Sequence, residues 1–388
     1  MELAEFPEEW EVTKLSEVCE TATGGTPSRR NSDYFGGRIP WVKSGELEDT
    51  VITEAKEKIS KLAITESNAK VFPKGTVLMA MYGATVGKLG RLAIDAATNQ
   101  AVCAFFPGKK LDSSFLWHYL RGIRGELLHS SFGAAQPNIS QTLIRNLEIP
   151  IPPLAEQRRI VARVDGLTSR SEQLRQLNIS LVEEMSRLLR AEYKRITKNA
   201  PTKPFSDVAK LVRRWVKTKP DEDYPETGIR SFGKGTFHKP ALTGEQLGTK
   251  RICRIKAGDL VFMNVFAWEG AIAVAQPADD GRVASHRFMT HEAVPDQATA
   301  DFLCYHFLTE PGLEQIRGAS PGSAGRNRTL GITKLEKIPV PVPPIKEQER
   351  FAKLRQRHFE LQRLQREAEA ELASFTPALL AKAFKGEL

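Results

Sequence analysis

The 388-residue chain has only four cysteines, Cys19, Cys103, Cys253 and Cys304, and no two of them form a CxxC pair. That spacing argues against a zinc knuckle or a redox dithiol and leaves buried reduced thiols. The seven histidines are scattered, and His291-Glu292 has no second histidine one helical turn on, so the HExxH zinc motif is missing. No run approaches the ~18 apolar residues of a membrane-spanning helix. The most apolar stretch, Leu260 to Ala275, is broken by Asn264 and Glu269. The N-terminus carries Glu2, Glu5, Glu8 and Glu9 instead of a basic and then apolar leader. The expectation is a cytoplasmic protein with no membrane partner. A glycine fingerprint for dinucleotides or S-adenosylmethionine is missing, as is the Asn-Pro-Pro-aromatic tetrad of amino-methyltransferases. Gly83-Ala-Thr-Val-Gly87-Lys88 has three residues between its glycines where a phosphate loop needs four, and Leu89 stands where Ser or Thr would meet magnesium. It reads as a glycine-permitted turn between strands. One acidic–acidic–lysine set, Asp49, Glu54 and Lys56, has the composition of a nuclease centre. It keeps a magnesium-dependent nuclease open as an alternative.

What is present is duplicated. Lys and Arg number 56 against 47 Asp and Glu, a formal charge of +9, which favours an acidic partner such as nucleic acid. The length suits two domains. Ile149-Pro-Ile-Pro-Pro-Leu-Ala-Glu-Gln-Arg-Arg-Ile160 returns 191 residues later as Val340-Pro-Val-Pro-Pro-Ile-Lys-Glu-Gln-Glu-Arg-Phe351, with six of twelve positions identical. Leu15 and Val18 correspond to Phe205 and Val208, and Gly75/Gly87 to Gly258/Gly270. Each proline stretch forces extended backbone before a helix can start, and Glu156 and Glu347 fall in a first helical turn, where a carboxylate is favoured.

A long helix follows each hinge. Ile160, Leu167, Leu174, Leu181 and Leu188 form one heptad line of the first helix, with Val164, Ser171, Asn178 and Met185 as the other. The second offers Leu354, Leu361, Ala368 and Phe375 beside Phe351, His358, Gln365, Leu372 and Leu379, with Pro377 as a candidate kink or stop. A helix of roughly 40 residues is about 60 Å long and needs a partner for so narrow a stripe. Each could pack on its own globule, or the two could pack antiparallel on each other. In the second case Ser171/Asn178 and His358/Gln365 are expected to form a mid-coil polar layer. The fold class is α+β: two similar mixed α/β domains separated by two long antiparallel coiled-coil helices, with an internal pseudo-twofold repeat.

Polar and basic residues cluster where turn residues do. In the first half these are Ser28, Arg29, Arg30, Lys43, Ser44, Tyr82, Thr85, Lys88, Asn99 and Gln100. In the second they are Arg213, Arg214, Lys217, Lys234, His286, Arg287, Arg326, Asn327 and Arg328. Lysines suit phosphate contact, while Arg, Asn and Gln can bond guanine or adenine bidentately. These residues make double-stranded DNA the expected partner. A solvated basic face, and a purely structural adaptor whose globules bind protein, remain the bland alternatives.

The ordered motifs resemble one family. Gly24-Gly-Thr-Pro-Ser-Arg29, Tyr34-Phe-Gly-Gly37, Ile39-Pro-Trp41, Gly83-Ala-Thr-Val-Gly-Lys88, Thr98-Asn-Gln100, Gly133-Ala-Ala-Gln-Pro-Asn-Ile-Ser140 and the duplicated Pro-Pro-x-x-Glu-Gln hinge are similar to the specificity subunit of type I restriction–modification systems, the HsdS family. The resemblance covers essentially the whole chain. It implies target-recognition domains at 1–150 and 200–340, a central helix at 151–199 and a C-terminal helix at 341–388. It implies a bipartite DNA target whose gap is set by the helical spacer, and a non-catalytic role. It also implies two methyltransferase (modification) subunits and restriction/translocase subunits as partners. S-adenosylmethionine, ATP and magnesium would lie on those partners, with no cofactor on this chain. The second domain lacks the Gly-Gly-Thr-Pro stretch, and Arg326-Asn-Arg328 replaces Gln136-Pro-Asn138. Different half-sites, and so an asymmetric target, are expected. Outward helix residues such as Arg158, Arg163 and Arg170 are candidates for docking the partners.

Overall fold

The computed structural model describes residues 6–130, 138–322 and 328–388. They form two compact units, one of residues up to 177 together with 367–388, the other of 178–366. The first unit contains β1 (Glu11–Lys14), β2 (Cys19–Thr23), β3 (Phe35–Val42), β4 (Thr50–Ile52), β5 (Glu57–Ile59) and β6 (Val71–Phe72). It continues with β7 (Val77–Ala80), β8 (Leu89–Leu92), β9 (Ala96–Thr98), β10 (Val102–Pro107) and β11 (Glu148–Ile151). Its short helices are α1 (Leu15–Val18), α2 (Lys61–Glu66), α3 (Ser113–Gly122), α4 (Arg124–Ser130) and α5 (Gln141–Arg145). One sheet has the order β2-β10-β7-β8-β4, a second β5-β3-β9-β6, and β1 pairs with β11.

The apolar run Val77-Leu-Met-Ala80 explains the layering. Side chains alternate along a strand, so Val77 and Met79 pack with Phe115, Leu116 and Leu120 of α3, while Leu78 and Ala80 pack with Val42, Leu47 and Phe72. Helices therefore cover one face of the sheet and the second sheet covers the other. Gly83 (φ +91°) and Gly87 (φ +76°) make the turn from β7 to β8, in the left-handed region that favours glycine.

The helix α6 (Leu154–Thr197) leads into the second unit. There follow β12 (Thr202–Pro204), β13 (Ala209–Val212), β14 (Trp215–Val216), β15 (Asp223–Ile229), β16 (Thr236–Thr243) and β17 (Ile252–Arg254). The remaining strands are β18 (Leu260–Met263), β19 (Ile272–Val274), β20 (Val283–Ser285), β21 (Phe288–Ala293) and β22 (Pro339–Pro341). The helices are α7 (Phe205–Val208), α8 (Gly244–Leu247), α9 (Ala300–Leu308), α10 (Glu310–Gly318), α11 (Ile332–Glu336) and α12 (Ile345–Phe384). The sheets β13-β21-β18-β19 and β14-β17-β20-β15-β16, with the pair β12-β22, repeat the first unit's plan. The repeat extends to strand sense: β3 is parallel to β9, and β15 to β20.

The duplicated hinge carries the same polar lock twice. The Gln157 side chain is fully buried. Its Oε1 accepts the Asp112 N–H (2.8 Å), and its Nε2 donates to the carbonyls of Lys110 and Pro152 (2.8 Å each). Gln348 does the same with the Thr299 N–H (2.9 Å) and the carbonyls of Gln297 (3.0 Å) and Pro343 (2.8 Å).

Within each unit the two long helices pair antiparallel. In the first, Ile160 and Val164 pack with Leu379, Leu380, Ala383 and Phe384, and Arg175 lies 3.3 Å from Glu369. In the second, Leu189 and Ile196 pack with Phe351, and Arg195 pairs with Glu347. The seam differs from the leucine count. Leu174, Leu181 and Leu188 are 56%, 46% and 50% exposed. Ile160 and Leu167 and the whole companion line Val164, Ser171, Asn178 and Met185 do face inward, but beyond Leu167 the leucine line gives way to positions one residue along, Thr168, Val182, Leu189 and Ile196, none of them exposed. Thr168 and the arginine at 175 make that line look polar, which is why an apolar count selects the leucines instead. The polar layer is also displaced. His358 Nε2 lies 3.4 Å from Ser186 Oγ, two turns beyond Asn178. Pro377 lies inside α12, which continues to Phe384.

Candidate nucleic-acid interface

Parallel strands β3 and β9 end at the same edge, so Lys43-Ser44 and Asn99-Gln100 emerge side by side. The Asn99 N–H donates to the Val42 carbonyl (3.1 Å), and Asn99 Oδ1 accepts the Ser44 N–H (3.3 Å). The β7–β8 turn adds Thr85, whose hydroxyl donates to the Ser44 carbonyl (2.6 Å). Thr26 is hydrogen-bonded to Gln100. Candidates spread over more than seventy residues of sequence thus form one continuous loop surface.

Arg29 and Lys43 meet through Glu57. Arg29 lies 2.7 Å from one Glu57 oxygen, and Lys43 pairs with the other. The Lys43 ammonium, with Arg29 adding to it, holds the Glu57 carboxyl below its ordinary range. The Arg29 guanidinium also sits 4.4 Å over the Phe35 ring and 5.5 Å from Trp41. Ser28 and Arg30 are exposed, and Tyr82 bridges to Asn138. The Lys88 side chain is half-buried and has no ion pair among the described residues.

The nuclease set is not assembled. Asp49 adopts φ +62°; its carboxylate takes two Arg124 hydrogen bonds and the Leu89 N–H (2.9 Å). Burial works to raise its pKa, but Arg124 and Leu89 outweigh it and the net shift is downward. Glu54 is exposed, and the Lys56 N–H donates to Glu46. Asp49 is a structural clamp.

In the second unit, Arg213 and Arg251 flank the exposed Trp215 ring at 5.4 and 4.1 Å. The Arg251 carbonyl accepts the His286 N–H (3.0 Å), and the neighbouring Arg287 carbonyl accepts the Asn264 N–H (3.0 Å). The Asn264 carbonyl accepts the Leu330 N–H (2.9 Å), close to Arg328, which lies 5.4 Å from Trp268. Lys217, Lys234, His286 and Arg287 are exposed. Arg214 differs from the others. Its guanidinium clamps the buried Asp259 (2.7 Å) and also pairs with Glu292, which ties it to the fold. Arg326 and Asn327 lie outside the described residues.

Sequence reasoning missed Glu57, Arg251, Asn264 and the two hinge glutamines. Gln157 and Gln348 had a usable signal, because they match between the repeats. Glu57 and Arg251 had none, since only the strand pairing places them beside Lys43 and Trp215.

The four cysteines are buried free thiols, and burial pushes Cys19 and Cys103 up to about 12. No cluster of metal-ligating side chains occurs among the described residues. Nor is any helix among them long and apolar enough to cross a membrane.

Residues 7–182 match the family model of the type I restriction modification DNA specificity domain. The putative type I restriction enzyme MjaX specificity subunit of Methanocaldococcus jannaschii is 23% identical over 91% of this chain and 87% of its own length. The EcoKI specificity subunit of Escherichia coli is 20% identical over the whole chain and 91% of its length. The M. jannaschii MjaIX specificity subunit is 29% identical, but there the match covers only 41% of this chain and 38% of the relative. The fold is similar to that of the HsdS subunit from Thermoanaerobacter tengcongensis, with a TM-score of 0.62 and 21% identity over 100% of this chain and 99% of that one. Motif order, duplicated hinge and topology agree with these likenesses: residues 7–182 match the specificity-domain model, and over its whole length the chain is similar to type I restriction–modification specificity subunits.

Proposed function

We propose that this chain is the non-catalytic DNA-reading subunit of a type I restriction–modification complex, recognising a bipartite, asymmetric target. One observation carries this reading: two domains of the same topology present chemically different loop edges. Thr26, Ser44, Asn99 and Gln100 define the first, and Arg213, Trp215, Arg251 and His286 the second. Amide and hydroxyl groups suit base edges, while the exposed Arg and Lys side chains suit phosphates. Two different edges read two different half-sites.

Two methyltransferase subunits and the restriction/translocase subunits are the proposed partners. S-adenosylmethionine, ATP and magnesium then belong to those subunits. Arg158, Arg163, Arg170 and Leu174 are exposed on the first unit's part of α6, and Leu181 and Leu188 on the second unit's part, which makes them the proposed docking positions for partner helices. Methylome sequencing of a host carrying this subunit and its methyltransferase tests the proposal. A two-part, gapped, non-palindromic adenine-methylation motif is expected. A continuous or palindromic motif, or no motif, overturns it.

A further inference from the structure

The hairpin joining β15 to β16 ends in Arg230-Ser-Phe-Gly-Lys-Gly235. Phe232 at its tip is 74% exposed, and no other large apolar side chain among the described residues is as exposed. Its backbone is left-handed, with φ +62°, a conformation that a bulky residue occupies only under constraint. The constraint is visible. The Phe232 N–H donates to the Glu269 carbonyl (2.8 Å), and the Gly233 N–H to the Gly270 carbonyl (2.9 Å). Ser231 Oγ donates to the Glu269 carboxylate (3.1 Å). A strained backbone fixed in this way costs stability, and folding recovers none of it by burying the ring.

The surroundings specify what the ring meets. Lys234 Nζ lies 5.8 Å from the Phe232 ring, and Arg230 lies 4.9 Å from Phe237. The hairpin faces a cleft of about 2140 Å³ within the second unit, where basic side chains outnumber acidic ones seven to three, the acids being Glu269, Asp301 and Glu349. Asp301 is paired with Arg355. A cationic cleft with a rigid, solvent-facing aromatic tip fits an anion that carries stackable planar groups. Rings that only pack against protein are not normally held out to water.

The geometry points to Phe232 as a wedge that enters a base step of the duplex at the second domain's half-site, with Arg230 and Lys234 on the flanking phosphates. This rests on the DNA-reading function proposed above and adds a deformation step to it. At the corresponding place in the first domain, β3 leads instead into Lys43-Ser44-Gly45, which carries no aromatic ring. The kink is therefore one-sided.

The test uses the full chain assembled with its methyltransferase subunits and duplexes bearing the methylome-defined motif. Affinity is measured by fluorescence anisotropy and bending by energy transfer between end-labelled strands. F232A is expected to bind roughly ten- to hundredfold more weakly and to lose the bend, while F232W keeps both. F232G releases the backbone constraint, so it is expected to raise the thermal midpoint while binding as poorly as F232A. A variant F232A that binds and bends the motif like the wild type overturns the inference and leaves the DNA-reading function standing. Loss of methyltransferase assembly in F232A, with bending by any assembled complex unchanged, also overturns it by placing the ring in a protein contact. If the wild-type complex prefers no motif over random duplex, the reading function itself fails and takes the wedge with it.

Discussion

Removing the hinge glutamine amide isolates the lock that joins each domain to its helix. Gln157→Ala leaves the Asp112 N–H without its acceptor and the Lys110 and Pro152 carbonyls without their donor, around a side chain that is fully buried. A buried polar group left unpaired costs about 1–3 kcal/mol. Three such groups at the low end give about 3 kcal/mol, before any cavity is counted. Hydrogen–deuterium exchange reads this by unit. The slowest amides of the first unit should exchange roughly 150-fold faster in Q157A, since 1.4 kcal/mol is a factor of ten, and those of the second unit should keep their rates. Q348A should give the mirror image, because Gln348 makes the same three bonds. Q157E is expected to be worse than Q157A at neutral pH, because a buried carboxylate would face two carbonyl oxygens. An effect below about fivefold, or equal acceleration in both units, refutes the lock.

Glu57→Gln removes the charge that gathers Arg29 and Lys43. First-half-site specificity is expected to relax and second-half-site preference to stay unchanged in methylome sequencing, and a shift in both would refute the link. His291 and His306 are buried and depressed to about 4, below the ordinary 6.5. Their stabilising contribution is thus complete above pH 6.5 and lost as pH falls toward 4. Between pH 7 and 5 each contributes a loss of about 2 kcal/mol to the second unit. H291F should therefore reduce a total loss of about 4 kcal/mol to about 2 in urea titrations, and an unchanged pH dependence would contradict this. Leu181→Ser with Leu188→Ser alters exposed positions, so the thermal midpoint should move little while affinity for the methyltransferase subunit drops at least tenfold by calorimetry. A destabilised chain with unchanged assembly would return these leucines to the seam.

Local signals showed the repeat, the hinges, the glycine turn and the existence of both long helices, because each depends on short-range rules: proline geometry, glycine φ and heptad spacing. The seam was legible only in part. Apolar counting ranks Leu174 above Arg175, yet Arg175 reaches Glu369 and Leu174 faces water. An arginine stem can cover apolar surface while its head finds a carboxylate, and a hydropathy pattern has no access to that.

The loop edges show the same limit from the other side. Composition marks Ser44 and Asn99 as polar, but their meeting depends on β3 and β9 being parallel, with more than fifty residues between them. The same candidate list contained residues of opposite fate. Arg213 is stacked on an exposed tryptophan, while its neighbour Arg214 reaches the buried Asp259. Residue type and turn context are alike for the two, which sit between β13 and β14; what separates them is the partner each reaches, the exposed Trp215 ring for one and the buried Asp259 carboxylate for the other. Phe232 is the clearest case, since a phenylalanine between Ser and Gly reads as ordinary turn hydrophobicity. Only its positive φ, its exposure and the bonds that the Phe232 and Gly233 N–H groups donate to the Glu269 and Gly270 carbonyls separate it from a core side chain, and these arise from a hairpin whose tip is fixed by a neighbouring turn. Groups that keep the fold and groups left facing outward differ here in direction more than in kind, so under the proposed function half-site specificity is expected to change through a few outward positions while Asp49–Arg124, Arg214–Asp259 and the two hinge glutamines stay in place.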